Sequence, residues 1–124
     1  MARNKKYTPK EFETIGDRKL SVVIFAAMME SYAWSQLTNN ARVLYLYMKL
    51  QLYGAKPIEG RDSDCFYFNQ ALFMGKLYTN KAQFRKDRDM LIKYGFIELV
   101  ENGEFTRTKS IYKYSSKWKD FEHT

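Results

Sequence analysis

The side chains best suited to chemistry fall in two short stretches. Between positions 79 and 86 the chain offers Thr79, Asn80, Lys81, Gln83 and Lys86. The amides of Asn80 and Gln83 can each donate and accept at once, the pattern that matches an adenine edge, while Lys81 and Lys86 suit guanine or a phosphate. Thr79 stands where a hydroxyl can cap a helix, and the free backbone N–H groups of such a start can hold a phosphate. The second stretch carries Arg107 and Lys109, two apart and therefore on one face of a strand. That spacing favours a concerted phosphate contact and equally fits an exposed edge strand guarded by charge.

Other chemistries lack their parts. His123 is next to the C-terminus, a poor place for a rigid general base. Cys65 precedes an aromatic residue and reads as buried. One histidine and one cysteine cannot make a metal site without several carboxylates. There is no P-loop and no GxGxxG. Asp62 and Asp64, beside Arg61, read as solvated loop residues. No catalytic residue, metal or cofactor is expected.

Composition sets the frame for these residues. The chain has 124 residues and a formal net charge of +7, from 21 Lys+Arg against 14 Asp+Glu. That length suits one domain with its own core. With 45% hydrophobic and 28% charged residues it reads as globular. A single cysteine excludes a disulfide scaffold. The apolar run Ser21–Met29 is nine residues, against the roughly 18–20 of a membrane span. The start MARNKKYTPKEFE is basic but leads into no long apolar region, so it is not read as a signal peptide. A reducing, cytoplasmic compartment is the expectation. Basic charge combined with 17% aromatic residues suits a nucleic-acid partner.

The elements that must position the two stretches follow from spacing. Residues 1–19 have mixed charge and read as a loosely ordered basic tail; residues 20–124 form the domain. Leu20–Phe25 is β-branched and apolar, a short strand or an extended packing segment. Ala26–Trp34 suits a short helix bringing Met28, Met29 and Trp34 to the core. Thr38 caps a helix ending at Gly54, with Ala41, Leu44, Tyr45, Met48 and Leu52 inward. Cys65–Phe68 is a short strand, and Asn69 caps a brief helix to about Leu77. Thr79 caps a longer helix to about Tyr94, stopped by Gly95, with Phe84, Leu91 and Ile92 inward and Ala82 assisting. Phe96–Val100 and Phe105–Tyr114 are strands joined by a turn centred on Asn102-Gly103. Trp118 is expected to fold back on the core.

Helix, short strand, short helix, tight turn, longer helix and hairpin is the order of a winged helix-turn-helix, whose second helix enters the major groove. Both presented elements are net positive: Lys76, Lys81, Arg85, Lys86, Arg88 and Lys93 stand against Asp87 and Asp89, and Arg107, Lys109, Lys113, Lys117 and Lys119 against Asp120 and Glu122. The two carboxylates of the longer helix oppose phosphate. The i,i+4 pairs Arg85–Asp89 and Asp89–Lys93 offer their neutralisation. Arg42 is read as pairing with a carboxylate or capping a helix end. Trp34, Trp118, Tyr45, Tyr47 and Tyr53 are read as core.

The run VVIFAAMMESYAWSQLTNNARVLYLYM resembles the opening of winged helix-turn-helix proteins from phages, plasmids and conjugative elements. Ser31, Ala33, Trp34, Leu37, Thr38, Ala41, Arg42 and Tyr45 carry the likeness. FRKDRDMLIKYGFIELVENG is similar to the recognition helix and wing of those families through Phe84, Leu91, Gly95, Phe96, Ile97 and Gly103. SIYKYSSKW is similar to their last strand and Ser-x-x-Trp close. The likeness runs from Val22 to Trp118. It includes replication-initiator-like domains, and so implies DNA binding in replication or transcription regulation of a mobile element.

The expectation is therefore an α+β chain: a single winged helix-turn-helix domain with a C-terminal two-stranded wing, not an enzyme, that binds double-stranded DNA. Its recognition helix, about 79–94, places Thr79, Asn80, Lys81, Gln83 and Lys86 at the major groove, and the wing, 96–114, sets Arg107 and Lys109 on the backbone. A homodimer and a host or replication protein are further partner expectations; a membrane is not. The alternative is a protein–protein adaptor on the same fold, docking through the wing edge or through Met28, Met29 and Tyr32.

Overall fold

A computed structural model describes residues 8, 10–15, 21–54, 58–68, 80–103 and 110–121, without the side chains of 51–54. In chain order these residues form α1 (Ala26–Met29), α2 (Tyr32–Ser35), α3 (Asn39–Gly54), β1 (Cys65–Phe68), α4 (Lys81–Lys93), β2 (Ile97–Glu101) and β3 (Ser110–Tyr114). Short 3₁₀ turns lie at Glu11–Glu13 and Lys117–Asp120. The chain is thus α+β. The expected helix at 69–77, and all but residues 8 and 10–15 of the expected 1–19 tail, fall outside the described residues.

The helical expectation over Ala26–Trp34 is corrected to two helices. Ser31 breaks them: its Oγ donates to the Met28 carbonyl at 2.6 Å and accepts from the Trp34 N–H at 3.2 Å, ending α1 and capping α2. Met29 is 56% exposed, so of the three residues expected at the core only Met28 and Trp34 pack against it. Residues 21–25 form no strand and run as the extended segment of the two alternatives. The start and end of α3 are as expected, with the Thr38 hydroxyl accepting from the Ala41 N–H at 3.1 Å.

The sheet holds three antiparallel strands in the order β1-β3-β2, so β3 is its centre. The expected pair of C-terminal strands is part of this larger sheet, with β1 added against β3 as Phe66 opposite Tyr112. The expected turn position is also corrected. A turn centred on Asn102-Gly103 puts Glu101 opposite Glu104; Glu101 instead stands opposite Ile111, with a register shift after Leu99. The cause is burial: Tyr112 is 1% exposed and its ring stacks on Phe66 at 5.7 Å. The core thereby fixes β3 against β1, and on the other side of β3 Leu99 stands opposite Tyr112. Residues 104–109, including the whole first half (105–109) of that expected strand, lie outside the described residues.

Between helices and sheet lies an aromatic core. Trp34, Tyr45 and Phe96 meet edge to face at 5.5–6.2 Å, and Trp118 stacks on Phe96 at 6.1 Å, folded back as expected. Phe68 of β1 stacks on Phe84 of α4 at 6.1 Å. The Tyr114 hydroxyl donates to the Met48 carbonyl at 2.7 Å, tying β3 to α3. Arg42 takes the cap role of its two readings, donating to the carbonyls of Trp34 and Ser35 at the end of α2 and to Asn39 Oδ1.

Candidate nucleic-acid interface

The cap of α4 sits one residue beyond its expected place. Asn80 has extended backbone and its side-chain oxygen accepts from the Gln83 N–H at 2.9 Å, so Asn80, not Thr79, caps the helix. Thr79 itself lies outside the described residues, as do Arg107 and Lys109. The Asn80 oxygen is committed to the helix, which leaves its amide N–H groups for an outside partner.

From that start, helical periodicity sorts the side chains of α4. Phe84, Asp87, Arg88 and Leu91 are buried, and Lys81, Ala82, Arg85, Lys86, Asp89 and Lys93 are exposed. The apolar expectation holds at Phe84 and Leu91, while Ile92 is half-buried and Ala82 faces outward. Two charges expected on the surface therefore lie inside. Asp87 is 2% exposed and accepts from the Thr38 hydroxyl at 3.3 Å. Gln83 Nε2 donates to both of its oxygens at 3.4 Å. Thr38 N–H also points at Met90 Sδ, 3.4 Å away. The start of α3 and the middle of α4 are thus joined through one buried carboxylate.

Arg88, 7% exposed, lies over the Phe84 ring at 6.0 Å and pairs with Asp89 at 3.1 Å. Burial alone lowers its pKa, but hydrogen bonding to the Tyr112 hydroxyl and the pairing with Asp89 more than offset this and hold it above the ordinary arginine value. Asp89 therefore has Arg88, its neighbour in sequence, as a partner, one that the i,i+4 expectation did not include. The carboxylates that opposed phosphate are both accounted for: Asp87 faces inward and Asp89 has a cation beside it.

What remains on the solvent side of α4 is four cations, Lys81, Arg85, Lys86 and Lys93, against the single paired carboxylate. Lys81 and Lys86 stand where expected. Gln83 is half-buried and turned towards Asp87. Arg85, four residues after Lys81, is exposed on the same face. Lys113 of β3 pairs with Asp62 at 2.9 Å, and Lys117 of the C-terminal 3₁₀ turn with Glu98 of β2 at 3.7 Å, so those two cations are matched locally. Cys65 is buried in β1. Among the described residues, no group of three or more His, Cys, Asp or Glu side chains is placed to hold a metal ion, and no helix is long and apolar enough to cross a membrane. In comparisons with known proteins the chain matches no family model, no curated protein and no solved structure.

Proposed function

We propose that this chain is a winged helix-turn-helix protein that binds double-stranded DNA and catalyses no reaction, serving regulation or replication of a mobile element. The observation that carries the reading is the charge of α4: its solvent side presents four cations and one carboxylate that is already paired. The order of α3, β1, α4, β2 and β3, with β1 paired to the last strand, supports the fold assignment. In this reading α4 enters the major groove. Lys81, Arg85 and Lys86 meet phosphate or guanine, Gln83 and Asn80 meet base edges with the atoms their internal bonds leave over, and Thr79, Arg107 and Lys109 hold the backbone.

The test is fluorescence anisotropy of a labelled generic duplex from about 50 to about 200 mM salt. Steep loss of affinity with salt is expected, because each phosphate contact releases a counterion. Gln83→Ala should relax preference at one base pair, whereas Lys86→Gln should weaken all sequences alike. Absence of binding at the lowest salt overturns the proposal. Of the Met28, Met29 and Tyr32 surface of the adaptor alternative, Met29 is 56% exposed and Met28 and Tyr32 are half-buried. That alternative is distinguished by a protein partner whose affinity changes little with salt.

A further inference from the structure

A groove of about 230 Å³ opens between the extended segment before α1, the side of α3 and the C-terminal 3₁₀ turn. Ile24, Phe25, Met28 and Trp118 give it apolar walls, and Lys49 and Lys119 make it basic. Lys49 Nζ donates to the Val23 carbonyl at 3.0 Å, which fastens the extended segment to α3 and fixes one wall. Lys119 Nζ lies 5.7 Å from the centre of the Trp118 ring at the other side.

The same chain carries a segment of matching chemistry outside this groove. Glu11-Phe12-Glu13-Thr14-Ile15 sets two carboxylates beside two large apolar side chains, and Phe12 and Ile15 are 84% and 85% exposed. Its turn is already shaped, since Glu13 Oε2 accepts from the Lys10 N–H at 3.3 Å and the Glu13 N–H donates to the Lys10 carbonyl. Two large apolar side chains left in water beside two carboxylates complement an apolar groove with two ammonium groups.

We infer that residues 11–15 seat in this groove on a second copy of the chain, Phe12 and Ile15 against the apolar walls and Glu11 and Glu13 towards Lys49 and Lys119. Each copy has one arm and one groove, and reciprocal seating of both arms makes a closed two-fold pair. Area argues for the reciprocal form. A phenylalanine buries roughly 150–250 Å². With Ile15, and counting the walls that cover them, two exchanged arms approach the ~1,000 Å² at which weak specific dimers begin, and one arm alone reaches about half of that.

Sedimentation velocity of the full chain without DNA, over a range of protein concentrations, reads this exchange independently of any nucleic-acid activity. A concentration-dependent monomer–dimer equilibrium is expected, weakening as salt rises. The double substitution Phe12→Asp with Ile15→Asp alters only exposed side chains and should sediment as a monomer with an unchanged circular dichroism spectrum. Glu11→Lys and Lys119→Glu should each weaken the dimer several-fold, and the two combined should restore it. A wild-type chain that stays monomeric at every concentration, including one that seats its own arm, overturns the inference. So does a dimer indifferent to the double substitution, or a charge swap that fails to restore it.

Discussion

Asp87 joins α3 to α4. Its carboxylate takes a hydrogen bond from the hydroxyl that caps α3 and another from the Gln83 amide, in a position that is 2% exposed. A buried carboxylate is tolerated only because such donors face it. Asp87→Ala removes the buried acceptor of the Thr38 and Gln83 hydrogen bonds, which we expect to cost about 1–3 kcal/mol in urea unfolding. Asp87→Asn keeps the shape and one acceptor and should cost less. The same substitutions separate two roles of Gln83. If its orientation in DNA depends on Asp87, then Asp87→Ala alters base preference as well as stability, and duplex competition at matched ionic strength reads the difference. Arg88, one residue on, was legible by spacing and illegible by type. Positions three and four after Phe84 belong to the inward side of a helix whatever occupies them, yet charge argued for the surface. The Tyr112 hydroxyl that receives Arg88 comes from a strand more than twenty residues away, which no local pattern displays.

At the scale of elements, the joint between α4 and β2 is the most constrained feature. Gly95 has φ +80°, the Phe96 N–H returns to the Leu91 carbonyl at 3.0 Å, and the Gly95 carbonyl accepts from the Trp118 N–H. A Cβ there would lie 2.6 Å from Lys117 C and from Trp118 N, both backbone atoms. Gly95→Ala therefore combines a left-handed conformation with a clash that no side-chain rotation relieves. A loss of at least ~2 kcal/mol in thermal or urea unfolding is expected. The loop before β1 is fastened to the sheet by exposed ion pairs, Arg61–Glu101 at 2.6 Å and Lys113–Asp62 at 2.9 Å. The Lys113 hydrogen bond and charge hold the Asp62 carboxyl below its ordinary range. A carboxyl with a lowered folded-state pKa stabilises above its unfolded-state value, and that contribution disappears as pH falls through the folded one. Unfolding profiles below about pH 4 should show this loss in the wild type and lack it in Asp62→Asn. Helices α3 and α4 were legible because their periodicity and glycine stops are local. The hairpin register was not, since Asn102-Gly103 is a strong local signal, whereas the pairing of Glu101 with Ile111 and the shift after Leu99 depend on residues far along the chain. The α4 cap was legible only to within a residue, because Thr79 and Asn80 are adjacent residues of capping type.

For the molecule as a whole, a net charge of +7 attracts any polyanion, so weak binding to DNA would by itself say little about a site. The distribution of that charge says more. Lys113 and Lys117 have carboxylate partners, Asp62 in the loop before β1 and Glu98 in β2, and the solvent side of α4 concentrates four exposed cations around one paired aspartate. Two double variants with the same net charge distinguish a site from general basicity. Lys81→Gln with Lys86→Gln removes two cations from α4, and Lys10→Gln with Lys117→Gln removes two from elsewhere on the exposed surface. If α4 lies against the duplex, the first pair should lower the slope of log affinity against log salt by about 2, with a matching loss of affinity at low salt. The second pair should leave the slope near that of the wild type, because cations outside the contact release no phosphate counterions. Equal losses in both variants would mean that binding follows net charge and that α4 is not the interface. All these side chains are exposed, so both variants should unfold at wild-type denaturant concentrations, and a difference between them reports where the DNA lies.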